Sequence, residues 1–208
     1  MGKIKVTLLG TSAAVPSKHR NLSGTVLNFD GENFLFDCGE GTQKQLMLSG
    51  NSFMKVNNVF VSHFHADHWL GLVGLIATMG LMQRQQKLKI FGPKGIKERV
   101  LTILPQFNLA PQFEIEFKEL REGKILEGKN FEISTFKLKH SVTSYGFVFQ
   151  EHGKVGEFQR QKALDLGIPI GPLFAKLASG ETVEVDGKKI KPEQVMDYSK
   201  SKLGKKIS

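Results

Sequence analysis

The chain has 208 residues, 40% of them hydrophobic, which is enough apolar material for one substantial core with an appendage. Its single cysteine, Cys38, excludes an intramolecular disulfide and a cysteine-rich zinc cluster, and fits a reducing compartment. The formal net charge of +9 favours a polyanionic partner, although a solvated lysine surface would give the same figure.

Residues 1–10 alternate apolar positions as a first strand does and lack the layout of a signal peptide. Residues 10–21 form a polar, basic loop without periodicity, either an ordinary connector or a lip that handles phosphate. Residues 26–29 and 33–36 flank Asp30-Gly31, a strong hairpin signal. Asp37-Cys38-Gly39-Glu40-Gly41-Thr42 then predicts a tight strand-to-helix turn, with Thr42 as N-cap of a short helix through Leu48 that stops at Gly50. Asp37 is either a turn residue or a carboxylate that orients a metal-binding imidazole through its second ring nitrogen.

The strand-like residues 59–62 run into His63-Phe64-His65-Ala66-Asp67-His68, where four potential metal ligands fall within six positions. In an extended segment residues i and i+2 share a side, so His63 and His65 can grip one ion, while Asp67 and His68 lie further along the turn. Imidazole and carboxylate suit zinc or a similar divalent ion, and the spacing suits two adjacent metals that clamp a phosphate. A His-rich surface turn is the bland alternative.

Residues 69–82 are too short and too rich in glycine to span a membrane and predict a buried helix. Residues 88–91 read as a strand ended by Gly92-Pro93, and the segment to Leu104 as a helix, an order that argues for a layered α/β fold. Residues 113–117 and 131–133 alternate as strands. The apolar phase then shifts to Phe136 and Leu138, which predicts a bulge or bend and places His140 at a strand end on the buried side, a candidate third ligand. His19 and His152 lie in polar loops and have no comparable case. From Glu151 onward apolar residues thin out, and the turn chemistry of Gly167-Ile168-Pro169-Ile170-Gly171-Pro172 and Asp186-Gly187 predicts a projecting arm with too little apolar area for a second domain.

Together these residues resemble the ribonuclease Z family, the transfer RNA 3′-processing endonucleases of the metallo-β-lactamase superfamily. The marks are Leu9-Gly10-Thr11-Ser12 with Pro16, Arg20 and Asn21; Phe36-Asp37-Cys38-Gly39-Glu40-Gly41-Thr42-Gln43; the His/Asp stretch running into Gly71-Leu72; His140-Ser141; and Gly171-Pro172. The resemblance implies an α/β fold, a C-terminally truncated metallo-β-lactamase-like αββα sandwich with residues 1–150 in the body, a protruding exosite arm over 151–192 and a return segment over 193–208, with the rest of the family domain expected to be lacking. It implies zinc held by His63, His65 and His140, a second zinc at Asp67 and His68, Asp67 as proton acceptor, and Asp37 behind the ligands. The reaction it implies removes the 3′ trailer from precursor transfer RNA, leaving a 3′-hydroxyl on the transfer RNA and a 5′-phosphate on the trailer; the alternatives are a catalytically incomplete form that binds RNA or a partner chain without cutting, and another phosphodiesterase of the metallo-β-lactamase fold.

Arg20, Gly171, Pro172, Lys176, Lys188 and Lys189 are the implied RNA contacts, in a cytoplasmic homodimer with no membrane association. Ala66 stands where the family has glycine. The family's bridging aspartate and final histidine have no counterpart in context after His140, since Asp165, Asp186 and Asp197 read as arm or helix positions. The expected consequences are a second metal held only by Asp67 and His68, and a first sheet with a large uncovered apolar face.

Overall fold

The computed structural model describes residues 3–108, 110–153 and 155–208. The chain divides into two compact units. The larger runs through residue 127 and takes in residues 133–148; the smaller comprises residues 128–132 and 149–207.

In the larger unit, β1 (Ile4–Gly10), β2 (Gly24–Phe29) and β3 (Glu32–Phe36) form an antiparallel meander. Asp30 and Gly31 both take left-handed backbone angles (φ 49° and 85°), as the two-residue hairpin turn requires. Helix α1 (Thr42–Leu48) leads to β4 (Val56–Phe60), followed by α2 (Ala66–Trp69), α3 (Gly71–Leu81), β5 (Leu88–Gly92), α4 (Ile96–Ile103) and β6 (Ile115–Glu119). Among the described residues the sheet runs β1-β2-β3-β4-β5-β6, parallel from β3 onward. A second sheet carries β7 (Gly123–Glu127), β8 (Phe131–Leu138) and β9 (Ser144–Glu151) as neighbours in the order β9-β8-β7.

The first sheet is apolar on both faces, mainly aliphatic on one and mainly aromatic on the other. Val26, Leu35, Val59 and Ile90 join Leu46 of α1, Leu72, Leu75, Ile76 and Met79 of α3, and Ile96 and Val100 of α4 in one buried cluster. Each such side chain contributes about 2 kcal/mol on leaving water. The opposite face is aromatic: Phe60 stacks between Phe36 and Phe91 at 4.9 and 4.7 Å, and Phe147 of β9 packs 5.4 Å from Phe36 and 5.7 Å from Phe60. Phe60 and Phe91 are therefore buried. Within the strands, apolar exposure falls instead on Val6 and Leu8 of β1 and on Phe136 and Leu138 of β8. A side chain added at Gly146 would strike the Phe136 ring, and period-two alternation puts Gly146 on the face of β9 away from Phe147, so Phe136 lies on the outer face of the second sheet.

Four local expectations change. Thr42 is the first helical residue and not the cap: Gly41 caps α1 in the left-handed region, and the Thr42 hydroxyl donates to Gly39 O at 2.6 Å. The 69–82 stretch divides between α2 and α3, and its end is not buried, with Leu81 84% and Met82 60% exposed. The sixth strand starts at Ile115, two residues after the alternation begins. Strand β8 ends at Leu138 with its last residues exposed, so His140 follows an exposed strand end and is itself exposed, contrary to the buried placement. One buried cation, Arg84, ties the segment after α3 together: its guanidinium donates to the carbonyls of Met54, Gln86 and Lys87 and to Asn57 Oδ1 at 2.7 to 3.0 Å.

The smaller unit contains β10 (Glu157–Phe158), α5 (Arg160–Asp165), α6 (Pro172–Ala178), β11 (Val183–Val185), β12 (Lys188–Ile190), β13 (Met196–Asp197) and β14 (Lys206–Ile207). Pro172 opens α6, where its missing N–H costs nothing. Despite its thin apolar content the segment encloses a small core of Ala163, Ile168, Leu177, Val183, Ile190 and Val195. Strand β14 pairs with the end of β9 through Lys206 and Gln150.

Candidate metal centre

The C-terminal ends of β3 and β4 converge on one spot because their following turns are zipped together. Asp37 N–H donates to Phe60 O at 2.8 Å, Cys38 N–H to His68 O at 2.7 Å, and Gly71 N–H to Cys38 O at 2.9 Å. The approach is so close that a Cβ at Gly39 would lie 2.4 Å from Asp67 O, and one at Gly71 would lie 1.9 Å from Gly39 O. Glycine is required at both places by contact, independently of backbone angle. His65 is extended (φ −69°, ψ 141°) and the chain then turns into α2, so His63 and His65 share a side while Asp67 and His68 rise from the helix.

The structure brings His63, His65 and His140 together, with ring nitrogens all within 4.8 Å of one another. His63 Nε2 lies 3.1 Å from His65 Nδ1, and His140 Nε2 lies 3.3 Å from the same atom. Ser62 Oγ sits 2.9 Å from His63 Nδ1; a proton on that nitrogen leaves the Nε2 lone pair facing the other two rings. Burial, followed by the neighbouring His68, lowers the His63 pKa to about 4, so the ring is neutral at ordinary pH.

Beside this trio lie Asp67 and His68, with His68 Nε2 3.6 Å from Asp67 Oδ2. His68 Nδ1 faces Asp37 Oδ2 at 2.6 Å. Asp37 is held in turn by Ser62 N–H at 2.8 Å, the Ser62 hydroxyl at 3.1 Å and the Ser23 hydroxyl at 3.3 Å. Burial works against protonated His68, but the hydrogen bond and charge of Asp37 outweigh it and raise the His68 pKa. Burial likewise pushes Asp67 upward, while the Ala14 N–H and His68 more than offset it and hold the carboxyl below its ordinary value. Cys38 lies behind the site, fully buried, its thiol pushed up to about 12 by burial; it supplies no thiolate.

Three converging imidazoles, the first already neutral and backed by a hydroxyl, fit a zinc-like divalent ion; Asp67 and His68 provide two further donors next to it. Among the described residues, the three histidines are the group of three or more His, Cys, Asp or Glu placed to hold an ion. Arg20 lies on the loop before β2, where Thr11, Ser17, Lys18, His19, Arg20 and Gln45 line a polar cavity of about 340 Å³. Gly171, Pro172, Lys176, Lys188 and Lys189 are exposed residues of the smaller unit and are not members of the His/Asp cluster. Sequence reasoning did not single out Ser62, which touches Asp37 and His63, or the backbone of Ala14, whose N–H donates to Asp67 Oδ2 at 2.8 Å. Ser62 carries a faint signal as the first polar residue after an apolar strand; Ala14 carries none.

Residues 4–156 match the family model described as "Anti-Pycsar protein Apyc1". A protein of Methanosarcina mazei named ribonuclease Z is 46% identical over 195 residues, 93% of this chain and 63% of its own length. The protein of that name from Nitrosopumilus maritimus is 41% identical over 204 residues, 98% of this chain and 68% of its own. The chain thus spans a little under two thirds of the first of these relatives. The crystal structure of the human short-form tRNase Z aligns with a TM-score of 0.64 at 33% identity, over 70% of this chain and 64% of that one. Likeness at 21% identity (TM-score 0.58) extends to a Bacillus subtilis protein of the metallo-β-lactamase fold. The chain has the metallo-β-lactamase fold and belongs to the ribonuclease Z family.

Proposed function

We propose that His63, His65 and His140 hold a zinc ion, that Asp67 and His68 belong to a second one, and that the family protein is a zinc-dependent endoribonuclease that removes the 3′ trailer from precursor transfer RNA. The observation that carries the reading is the convergence of the three ring nitrogens within 4.8 Å beside the Asp67–His68–Asp37 chain. Bound zinc supplies Lewis acidity at the scissile phosphate. This chain's own residues do the rest. Asp37 fixes the ring of His68, Ser62 fixes that of His63, and Asp67, ionised at neutral pH and 9% exposed, is the proton acceptor. Cleavage leaves a 3′-hydroxyl on the transfer RNA and a 5′-phosphate on the trailer.

The precursor is gripped by Arg20 on the basic loop and by Gly171, Pro172, Lys176, Lys188 and Lys189 of the arm, contacts to phosphate and shape with little base readout. Relatives named ribonuclease Z support the arm's inclusion: they align over 193 residues or more, whereas the Apyc1 model ends at residue 156, just inside the arm. The family protein works as a cytoplasmic homodimer; no helix among the described residues is long and apolar enough to cross a membrane.

A second reading is that this chain binds RNA without cutting it. It is favoured by the Asp67–His68 pair, which offers two side chains where a firmly held ion takes three or more. The discriminating experiment incubates zinc-loaded chain with a precursor transfer RNA bearing a 3′ trailer, reading binding and cleavage separately. Zinc-dependent cleavage at the trailer junction supports the endonuclease. Retention without cleavage supports the second reading, and neither binding nor cleavage overturns both.

A further inference from the structure

Ala14 lies in the basic loop with φ of 57°, a left-handed conformation that side-chain-bearing residues adopt at a cost and keep only where their surroundings enforce it. The enforcement is visible. Ser12 N–H donates to Asn21 O at 2.9 Å and the Ser12 hydroxyl to Val15 O at 2.6 Å, so the loop doubles back on itself around residues 13 and 14. At its far end Ser17 N–H donates to Arg20 O at 2.9 Å, the Ser17 hydroxyl oxygen accepts from Arg20 N–H at 3.0 Å, and the Asn21 amide reaches Glu40 O at 2.8 Å. The outcome of this folding is one bond to a residue 53 positions away: Ala14 N–H donates to Asp67 Oδ2 at 2.8 Å. A backbone donor is the most rigid orienting group available for a carboxylate, because no rotamer can carry it away.

We propose that Ala14 is a positioning residue for Asp67: the left-handed turn aims its N–H at Oδ2, so that the orientation of the carboxylate and the conformation of the loop carrying Lys18, His19 and Arg20 are set together. This rests on Asp67 being one of the working groups of the proposed function. The coupling runs both ways, as any energetic link between two sites must. Release of Asp67 loosens the loop, and loss of the left-handed turn frees Asp67. The side chain of Ala14 has no part in it; only its backbone conformation matters.

The test is amide hydrogen exchange by NMR on the metal-free chain, which requires neither zinc nor catalysis. In the wild type the Ala14 amide exchanges at least tenfold more slowly than its loop neighbours that face solvent. Asp67→Ala abolishes that protection, Asp67→Asn keeps most of it because a side-chain oxygen remains, and His68→Ala leaves it in place. In the reverse direction, Ala14→Gly and Ala14→Asn, which tolerate the left-handed region, keep the residue-14 amide protected, whereas Ala14→Val loses that protection. A role confined to overall stability would instead lower protection across the whole sheet in step with the melting temperature. An Ala14 amide that exchanges freely in the wild type, or identically in Asp67→Ala, overturns the proposal. If protection behaves as described while zinc and RNA binding fail, the positioning stands and the proposed function falls.

Discussion

Asp37 Oδ2 lies 2.6 Å from His68 Nδ1, and the two residues reach each other only because Gly39 and Gly71 let the turn after β3 press against the turn before α3. The pair holds the imidazole by one nitrogen and leaves Nε2 directed toward Asp67. Its charge state has a defined sign. The His68 pKa is raised in the folded chain, so the pair stabilises the metal-free protein fully below the unfolded histidine value of about 6.5, and this contribution is lost as pH rises through the folded value. Asp37→Asn removes the larger counter-charge and leaves only Asp67 to oppose burial. NMR titration of the His68 ring in the metal-free variant is then expected to give a pKa below that of the wild type; an unchanged value would show that Asp37 does not set it.

His63 has the opposite sign. Its pKa is lowered to about 4, chiefly by burial, so it adds stability above about 6.5 that is lost as pH falls toward 4. Urea unfolding of the metal-free chain at pH 7 and pH 4.5 is expected to show a smaller pH-induced loss in His63→Gln than in the wild type. Equal losses would mean that His63 accommodates a proton without strain.

A Cβ at residue 71 would meet Gly39 O at 1.9 Å, a backbone atom that cannot swing aside. Gly71→Ala is expected to cost about 3 kcal/mol and to disturb the Asp37–His68 contact, because the same turns carry both. Thermal unfolding measures the first effect and the His68 ring shift the second. Gly50→Ala is the control: that position is open, and any loss there comes from its φ of 71° alone.

Arg84 is 1% exposed and donates to three main-chain carbonyls and Asn57. Arg84→Ala orphans buried acceptors and is expected to destabilise the chain by about 3 kcal/mol in urea unfolding, with zinc uptake unchanged. Loss of zinc at a denaturant concentration where the fold persists would place Arg84 closer to the site than its contacts indicate.

Much of this was legible in the sequence, for physical reasons that differ by element. The Asp30-Gly31 hairpin was readable because two consecutive left-handed residues are rare and these two residue types favour them. The grouping of His63 and His65 followed from strand alternation, but their meeting with His140 is a tertiary event across 75 residues that spacing alone does not fix. His140 is exposed where strand alternation predicts burial, because Phe136 and Leu138, which set its phase, lie on the exposed outer face of the second sheet. Residue type predicts Thr42 as the cap of α1, whereas Gly41 takes the left-handed cap position and the Thr42 hydroxyl donates to Gly39 O. The aromatic and aliphatic faces of the first sheet could not be separated in advance, since strands buried on both sides show no polar alternation. The Ala14–Asp67 bond uses a main-chain donor and left no trace in residue type.

The central claim is that three histidines from two distant stretches hold one divalent ion. Zinc per chain, measured by mass spectrometry on purified wild type, His65→Ala and His152→Ala, tests it most directly. At least one zinc per chain is expected in the wild type and in His152→Ala, and one fewer in His65→Ala with the fold retained. A wild type without zinc, or a His65→Ala variant that keeps its full complement, would contradict it.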